Sequence, residues 1–183
     1  LKAGRLGDAV RVFDGMVERD VVSWSCIVDG YCKQGKVDEA RKVFNTMLEK
    51  NVVTWTSMID GYMSTERFCD GLGLFAEMRR AGNVEVNPNT LTIMLDACGN
   101  AGRCREGIQI HALVFHLGLH FDAFLCNSVI AMYSRLGRMD EANVAFEEMA
   151  KRDVVSWNSL INGYVENNQV EKANEIFERM PVK

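Results

Sequence analysis

The feature that most constrains this chain is a short segment that it repeats. The three clearest copies are RDVVSWSCIVDGY from Arg19, NVVTWTSMIDGY from Asn51 and RDVVSWNSLINGY from Arg152. In each copy a Trp is followed by a Gly-Tyr pair at the same spacing. Self-similarity at a period of about 20–50 residues is typical of arrays of small units that stack on their neighbours. The chain is therefore expected to form a repeat array.

Aligning the copies by their Trp divides the 183 residues into units. Residues 1–20 match the second half of a unit, complete units follow at 21–51, 52–87, 88–122 and 123–153, and an incomplete one occupies 154–183. A break after Asn89 instead of Asn87 also fits the segment NVEVNPN. Because the chain begins in the middle of a unit, we expect a piece of a longer protein whose targeting peptide lies outside it.

Each unit predicts two helices. The first helix of unit 21–51 has an apolar face at helical spacing, formed by Val22, Ile27, Val28 and Tyr31, and Gly35 then suits a helix end. The second helix recurs as VDEARKVFNTM, MDEANVAFEEM and VEKANEIFERM, with apolar residues three or four apart. Two short helices cannot bury such faces alone, so stacked helix pairs in an all-α solenoid are expected.

Composition narrows the classes of function. A net charge of −4 gives no global attraction to nucleic acid, which counts against nucleic-acid binding unless a more specific pattern outweighs it. Six cysteines without a CxxC motif indicate reduced, buried thiols rather than a disulfide scaffold. No apolar run is long enough to span a bilayer, and no glycine-rich phosphate loop, nucleophile elbow or HExxH motif occurs. We therefore expect no membrane contact, enzyme activity, cofactor or small-molecule substrate.

Histidine and tryptophan each have two interpretations. His116 and His120 are four residues apart, but Gly118 is expected to end the helix between them, so a metal site is not expected. His111 lies in an ordinary part of its unit. Trp24, Trp55 and Trp157 have the aromatic faces on which bases stack, but their place beside apolar positions favours the core.

The frame DVVSWNSLINGYVENNQVEKANEIFERMP resembles a pentatricopeptide repeat, and the resemblance covers the whole chain. The unit lengths resemble the plant PLS class, with short units at 21–51 and 123–153, a standard unit at 52–87 and a long unit at 88–122. The segment DACGNAGRCREGIQIHALVFHLGLHFD is similar to the long type. The resemblance implies a right-handed α-solenoid superhelix of antiparallel helix-turn-helix repeats.

The resemblance also implies a function. Members of the family bind single-stranded RNA in mitochondria or chloroplasts, one base per repeat, and guide RNA processing such as C-to-U editing. Organellar RNA editing factor proteins are an implied partner on the long unit. A protein-interaction scaffold similar to a tetratricopeptide array, without RNA recognition, is the alternative, and the acidic net charge favours it.

By the same resemblance, the fifth and last residues of each unit recognise one base. These base-recognition residues are Ser25 with Asn51, Thr56 with Asn87, Thr92 with Asp122, Asn127 with Asp153, and Asn158 with a partner beyond the chain. Asn can donate a hydrogen bond, whereas ionised Asp can only accept one. The family's pattern then implies A, A, G and U for the four complete pairs and a pyrimidine for the last unit.

Two further rows follow from the resemblance. The second residue of each unit is an apolar wedge between bases: Val22, Val53, Phe124 and Val155 fit, and Asn89 departs from the pattern. The thirteenth residue faces phosphate: Lys2, Lys33 and Arg135 fit, and Ser64, Asn100 and Glu166 depart. Because only half of this row is basic, we expect weak, salt-sensitive RNA binding.

Overall fold

The computed structural model describes residues 3–82 and 84–181, with side chains from Leu6 onward. These residues form helices and no strand, which confirms the all-α class. The helices are α1 Ala3–Gly15, α2 Val21–Cys32, α3 Val37–Thr46, α4 Val52–Ser64, α5 Phe68–Ala81, α6 Pro88–Asn100, α7 Cys104–His116, α8 Ala123–Arg135, α9 Met139–Glu147, α10 Val154–Glu166 and α11 Val170–Arg179. Lys2 lies outside the described residues. Among those residues, each helix is too short or too polar to cross a bilayer.

The chain divides into two compact bodies, residues 1–90 and 91–183. In the first body, α2 packs against α1, α3 and α4, and α4 packs against α5. In the second body, α8 packs against α9 and α10, and α10 packs against α11. Within each body, a first helix therefore contacts both its own second helix and the first helix of the next unit. This is the stacking that the sequence pattern predicts.

A residue with positive φ separates the two helices of each unit from 21–51 to 154–183. The residues in this left-handed conformation are Gly35, Glu66, Gly102, Gly137 and Asn168. Glycine adopts it without steric cost, which explains why α2 ends at Cys32, shortly before Gly35. Glu66, at φ 60°, occupies the same place at a cost of about 1 kcal/mol. The turn therefore persists where its sequence signal is missing.

The tryptophans belong to the core. Trp55 and Trp157 are buried, and their rings pack edge-on against Phe44 and Phe146 with centroid distances of 4.9 and 4.8 Å. Edge-to-face aromatic pairs of this kind contribute about 0.5–1.5 kcal/mol beyond the burial of apolar area. Each pair joins the second helix of one unit to the first helix of the next, so the prediction that tryptophan is structural is confirmed.

Two predictions about burial were wrong. Val22 was placed on the buried face of α2, but 64% of its surface is exposed, because it lies on the side of α2 opposite Ile27 and Val28. The cysteines were expected to be mostly buried, yet Cys26 and Cys69 are exposed, and among the described residues only Cys32 and Cys98 are buried. Both errors arise where an apolar residue type lies on the face of a helix that its neighbours leave uncovered.

Glycines let consecutive first helices approach closely. A Cβ added at Gly61 of α4 would lie 2.5 Å from the Sγ and 2.9 Å from the Cβ of Cys32 in α2. A Cβ at Gly163 of α10 would collide with Ser134 of α8. The Gly-Tyr pair of the repeated segment is therefore a packing feature: Gly brings neighbouring helices together, and the following Tyr62 or Tyr164 is buried.

Candidate functional site

A groove of about 400 Å³ opens between α2 and α4 in the first body. Its lining residues are Val22, Ser25, Cys26, Asp29, Lys33, Asn51, Val53 and Ser57. Five of the eight are residues that the sequence singled out as wedges, base-recognition residues or a phosphate contact. The two valine side chains are 64% and 56% exposed, although both are apolar. We refer to this site as the Val22–Val53 groove.

The polar side of the Val22–Val53 groove is a chain of hydrogen bonds. Asn51 precedes the first residue of α4, and its Oδ1 accepts from the backbone N–H of Thr54 at 2.9 Å and from Thr54 Oγ1 at 2.8 Å. Thr54 Oγ1 also lies 2.6 Å from Ser25 Oγ, whose hydroxyl donates to the Val21 carbonyl at 2.7 Å. The fifth and last residues of unit 21–51 are thus connected through the third residue of the next unit.

The same arrangement recurs one unit later. Asn87 Oδ1 accepts from the Thr90 N–H at 2.9 Å and from Thr90 Oγ1 at 2.8 Å. Thr90 Oγ1 lies 2.7 Å from Thr56 Oγ1. Ser25 and Thr56 are only 6% and 7% exposed, because the first helix of the following unit covers them. The structure therefore places both residues at a junction between units rather than on an open face.

The third pair, Thr92 with Asp122, has a weaker connection. Asp122 Oδ1 accepts from the Leu125 N–H at 2.8 Å, but Leu125 occupies the third position and has no hydroxyl. Thr92 Oγ1 instead accepts a long bond from Ser128 Oγ at 3.4 Å. Ser128 belongs to the sixth position of its unit and does not contact Asp122 through any recorded bond. The fifth and last residues are consequently not joined here as they are in the first two pairs.

In the fourth pair, Asp153 caps helix α10 and lies near Asn127. Asp153 Oδ1 accepts from the Ser156 N–H at 2.8 Å and from Ser156 Oγ at 2.9 Å. These bonds from Ser156, with a smaller contribution from the Asn127 side chain, hold the pKa of Asp153 below its usual value. A carboxylate can only accept hydrogen bonds, so Asp153 could receive one from Asn127 only through the NH₂ group of the amide. Its buried Oδ1 has no hydrogen-bond partner within the part of the chain that the structure describes.

The remaining predicted wedges and base-recognition residues lie at the surface of the second body. Phe124 and Val155 are 64% and 58% exposed. Asn158 is exposed on α10, which is the first helix of the last unit. Asn89, the departure from the wedge pattern, is also exposed. The second position is thus solvent-facing in every unit, whatever residue occupies it.

The two described cations of the thirteenth position are paired with acids. Lys33 Nζ lies 2.7 Å from Asp29 Oδ2, and its hydrogen bond to Asp29 raises the pKa of the lysine. Arg135 lies 3.0 Å from Asp96 Oδ1. In the second body, a groove of about 380 Å³ brings Arg135 together with Asn100 and Glu166, two of the three departures from the pattern. The surface on which phosphates are expected is therefore close to neutral.

Two of the three histidines pack on neighbouring side chains. His111 Nδ1 lies 3.0 Å from the Tyr133 hydroxyl, and burial lowers the pKa of this histidine. His120 stacks on Phe115 with ring centroids 5.2 Å apart. Helix α7 ends at His116, before Gly118, as expected from the sequence. No group of three His, Cys, Asp or Glu side chains with metal-binding geometry occurs among the residues that the structure describes.

Sequence reasoning missed the residues that connect the predicted ones. These are the hydroxyl residues Thr54, Thr90, Ser128 and Ser156 and the acids Asp29 and Asp96. A signal for the first group was present, because the third position holds Ser23, Thr54, Thr90 and Ser156 in every unit but one. A hydroxyl or carboxylate just before or within the first turn is the usual signature of helix capping.

Comparison with known proteins finds one kind of repeat along most of the chain. A PPR repeat profile matches residues 16–48, a PPR repeat family profile matches 50–100 and 152–183, and a second PPR repeat profile matches 1–21, 90–115 and 124–154. Together the matches leave only residue 49 and residues 116–123 uncovered.

Relatives in Arabidopsis thaliana are similar over all or half of the chain. A mitochondrial pentatricopeptide repeat-containing protein is 53% identical over 92 residues, which are 50% of this chain and 13% of the relative. A second relative is 32% identical over 176 residues, which are 96% of this chain and 24% of the relative. A chloroplastic relative is 35% identical over 177 residues, which are 97% of this chain and 17% of the relative. The chain thus spans less than a quarter of the length of each relative.

A solved structure has the same fold. The crystal structure of the pentatricopeptide repeat protein PPR10 in complex with an 18-nt psaJ RNA element matches 98% of this chain and 27% of its own, at 25% sequence identity and a TM-score of 0.75. A crystal structure of PPR10 from maize matches 99% of this chain, at 21% sequence identity and a TM-score of 0.50. The α-solenoid class expected from the sequence is therefore confirmed.

Proposed function

Because the chain belongs to the pentatricopeptide repeat family, we propose that it binds single-stranded RNA in a mitochondrion or chloroplast, with one base recognised per unit. The observation that supports this most is the Val22–Val53 groove, where an exposed apolar pair flanks the polar pair Ser25 and Asn51. One of the relatives described above is mitochondrial and another is chloroplastic, and PPR10 was crystallised with RNA.

The groove has the features that an unstacked base requires. Exposed valines offer apolar surface to both faces of a base, and removing that surface from water is favourable by about 25 cal/mol per Å². Polar groups beside them are available to the base edge, where sequence is recognised by hydrogen bonds. Lys33 lies on the same groove, at the place where a phosphate is expected. Wedge, edge contact and cation thus share a single site.

The bases follow from the hydrogen-bonding capacity of the last residue. Asn51 and Asn87 have an NH₂ group that can donate to the bare ring nitrogen of A, and Asp122 and Asp153 can accept from the ring N–H of G or U. We therefore propose the order 5′-A-A-G-U-pyrimidine-3′ for units 21–51 to 154–183. The unit at 88–122 supports its base least, because Asn89 replaces the apolar wedge and Leu125 interrupts the hydrogen-bond chain.

The test is a fluorescence anisotropy titration of the 183-residue chain with labelled RNA. Matched RNA carries 5′-AAGUC-3′ between cytidine flanks, and the controls are a scrambled version and an all-C strand of equal length. We expect tighter binding to the matched strand, and an affinity that falls between about 50 and about 200 mM salt, because phosphate contacts release counterions. Equal affinity for all three strands would overturn the base assignment.

One substitution tests the assignment at the Val22–Val53 groove. Asn51→Asp keeps the shape of the side chain but replaces its donor with an acceptor. The preferred first base is then expected to change from A to G, with a change in the affinity ratio of about tenfold, as for one well-placed hydrogen-bonding pair. Asn45→Asp, on the exposed surface of α3, is the matched control and leaves the preference unchanged.

We further propose that the bound RNA is directed to a processing reaction such as C-to-U editing, which a partner or another part of the protein carries out. Organellar RNA editing factor proteins are the proposed partner on the long unit. The exposed apolar residues of that unit, Ile108, Phe115, Leu117 and Phe121, support a protein contact there.

The second candidate is a protein-interaction scaffold without RNA recognition. The near-neutral thirteenth position favours it, since Lys33 and Arg135 are already paired with acids. The same titration separates the two candidates. No binding to any RNA at about 50 mM salt, the lower end of the range in which phosphate contacts are strong, would favour the scaffold.

A further inference from the structure

We propose that the hydroxyl of Thr54 is a positioning group that sets the hydrogen-bond polarity of Ser25 and Asn51 together. Thr54 is fully buried and does not line the Val22–Val53 groove, so its action on a base passes through these two residues. The inference rests on the proposed RNA binding and adds a third residue to the recognition of each base. That residue comes from the following unit.

The first step concerns the orientation of the Asn51 amide. Its Oδ1 accepts two hydrogen bonds, from the N–H of Thr54 at 2.9 Å and from Thr54 Oγ1 at 2.8 Å. Both donors lie at the start of α4, so the amide oxygen is directed into the protein. The NH₂ group points the other way and is left to donate. With its oxygen held twice, the amide cannot turn over to offer an acceptor without losing both bonds.

The second step counts hydroxyl protons. Ser25 and Thr54 have one proton each, but three acceptors lie within reach: the Val21 carbonyl, Asn51 Oδ1 and the other hydroxyl. If Thr54 donates to Asn51, Ser25 can donate to Thr54 or to Val21. If Thr54 donates to Ser25, Ser25 donates to Val21. In each case the Ser25 proton stays inside the protein, and the free capacity of its oxygen is that of an acceptor.

Acceptor and donor together match one class of base. The Watson–Crick edge of adenine has an amino donor next to a bare ring nitrogen, and cytosine has the same polarity. Guanine and uracil have the reverse order, a carbonyl next to a ring N–H. A groove that offers the Ser25 oxygen and the Asn51 NH₂ group therefore favours A and C over G and U. Thr54 produces this preference because it occupies the Asn51 oxygen and helps to keep the Ser25 proton inside the protein.

Two other junctions between units support the same role for the residue at the third position. Thr90 has the same contacts with Thr56 and Asn87, at 2.7 and 2.8 Å, and is also fully buried. At the junction where Leu125 holds the third position, Thr92 has only the 3.4 Å contact with Ser128. A third-position hydroxyl thus accompanies a connected pair of base-recognition residues, and its loss accompanies a separated pair.

The test uses Thr54→Val, which keeps the β-branched shape and removes the hydroxyl. Labelled RNAs carry A, C, G or U before A-G-U-C, and their affinities are measured by anisotropy for the unchanged chain and each variant. The unchanged chain is expected to favour A over G by about tenfold, and Thr54→Val to reduce this ratio to within about twofold. Thr54→Ser retains the hydroxyl and is expected to restore the ratio.

Two controls separate positioning from stability. Thr46→Val removes an exposed hydroxyl that bonds only within α3, and is expected to leave the ratio unchanged. Without RNA, Ser25→Ala is expected to shift the Asn51 side-chain amide resonances in a ¹⁵N spectrum, because the perturbation passes through Thr54. A helix cap that acted alone would leave those resonances in place.

The outcomes distinguish this inference from the proposed function. Failure of the unchanged chain to bind any of the RNAs would overturn the proposed function and this inference with it. Normal binding with the A-over-G ratio intact in Thr54→Val would overturn this inference alone. Loss of the ratio in Thr54→Val with restoration in Thr54→Ser supports both.

Discussion

The junction between units 21–51 and 52–87 and the junction between units 88–122 and 123–153 solve the same packing problem with different residues. At the first, Trp55 packs edge-on against Phe44, and Thr54 links Ser25 to Asn51. At the second, Leu125 and Cys126 hold the places of Thr54 and Trp55. The Asp or Asn cap and the helix start are kept at both, with Asp122 accepting from the Leu125 N–H.

The difference shows which parts of the repeated segment the stacking of units requires. A helix start and an apolar contact suffice for stacking, and both junctions have them. The hydrogen bonds of Thr54 with Ser25 and Asn51, and the pair of Trp55 with Phe44, occur at the first junction and not at the second. The second junction instead carries aromatic and histidine contacts, such as His111 with Tyr133. We therefore expect substitutions to have larger effects on the first junction than on the second.

The largest effect is expected for the tryptophan. Trp55→Ala removes a buried ring and its contact with Phe44, and should lower the free energy of unfolding by about 3–5 kcal/mol. Cys126→Ala, at the equivalent place of the second junction, should cost no more than about 1 kcal/mol, because a single half-buried group is lost. Urea unfolding followed by circular dichroism measures both. Equal losses would contradict the proposed difference between the junctions.

A smaller effect is expected for close helix packing. Gly61→Ala places a methyl group against Cys32, and should destabilise the chain by about 1–3 kcal/mol. Gly73→Ala is the matched control: it lies within α5 with no atom within 4 Å of the added Cβ, and should stabilise the helix by up to about 1 kcal/mol. The thermal unfolding midpoints should therefore move in opposite directions. A shift in the same direction for both variants would contradict the close approach of α2 and α4.

A third comparison concerns Lys33 and Arg135, the two described cations of the thirteenth position, and the measured quantity is the affinity for RNA. Asp29→Asn releases Lys33, and should tighten RNA binding about twofold to fivefold, the range that an exposed ion pair of up to about 1 kcal/mol allows. The dependence of affinity on salt should also steepen. Asp96→Asn makes the same change for Arg135 and should act alike. Unchanged affinity in both variants would mean that these cations do not contact phosphate.

The smallest effect concerns pH and the helix caps. Hydrogen bonds from Ser156 lower the pKa of Asp153 in the folded state, so this cap stabilises the fold above the unfolded-state pKa and is lost as pH falls through the folded-state value. Below about pH 4, the normal range for an aspartate, the unchanged chain should therefore lose more stability than Asp153→Asn. Asn51→Ala should lower stability equally at all pH values, since an amide does not titrate. Parallel pH profiles for the unchanged chain and Asp153→Asn would contradict this assignment.

Much of the fold follows from the sequence because its signals are local. Apolar spacing of three or four residues predicted the helix pairs, and Gly35 predicted the end of α2. The equivalent turn at Glu66 had no such signal, because a non-glycine residue adopts positive φ there. Val22 also shows the limit of periodicity: the sequence groups it with Ile27 and Val28, yet it lies on the opposite side of α2 and is exposed.

The candidate site was predictable only in part. The repeated register, with the family resemblance, singled out Ser25 and Asn51, and the structure brings both to one groove. Thr54 was not found, because its hydroxyl resembles an ordinary helix-capping group in a single sequence. Asp96 was not found either, since its ion pair with Arg135 joins residues 39 positions apart. Contacts of this range have no periodic signature.

The sequence by itself determined the all-α class, the division into helix pairs and the apolar second position of each unit from 21–51 onward except 88–122. Helix formation depends on residues within about four positions of each other, so a single chain records it directly. Tertiary structure decided that Ser25 and Thr56 are covered, that Lys33 and Arg135 are paired with acids, and that Thr54 lies between Ser25 and Asn51. These features depend on how closely one first helix packs on the next. The buried glycines permit that approach, but the partners across the junction are set by the stacked helices and not by spacing along the chain.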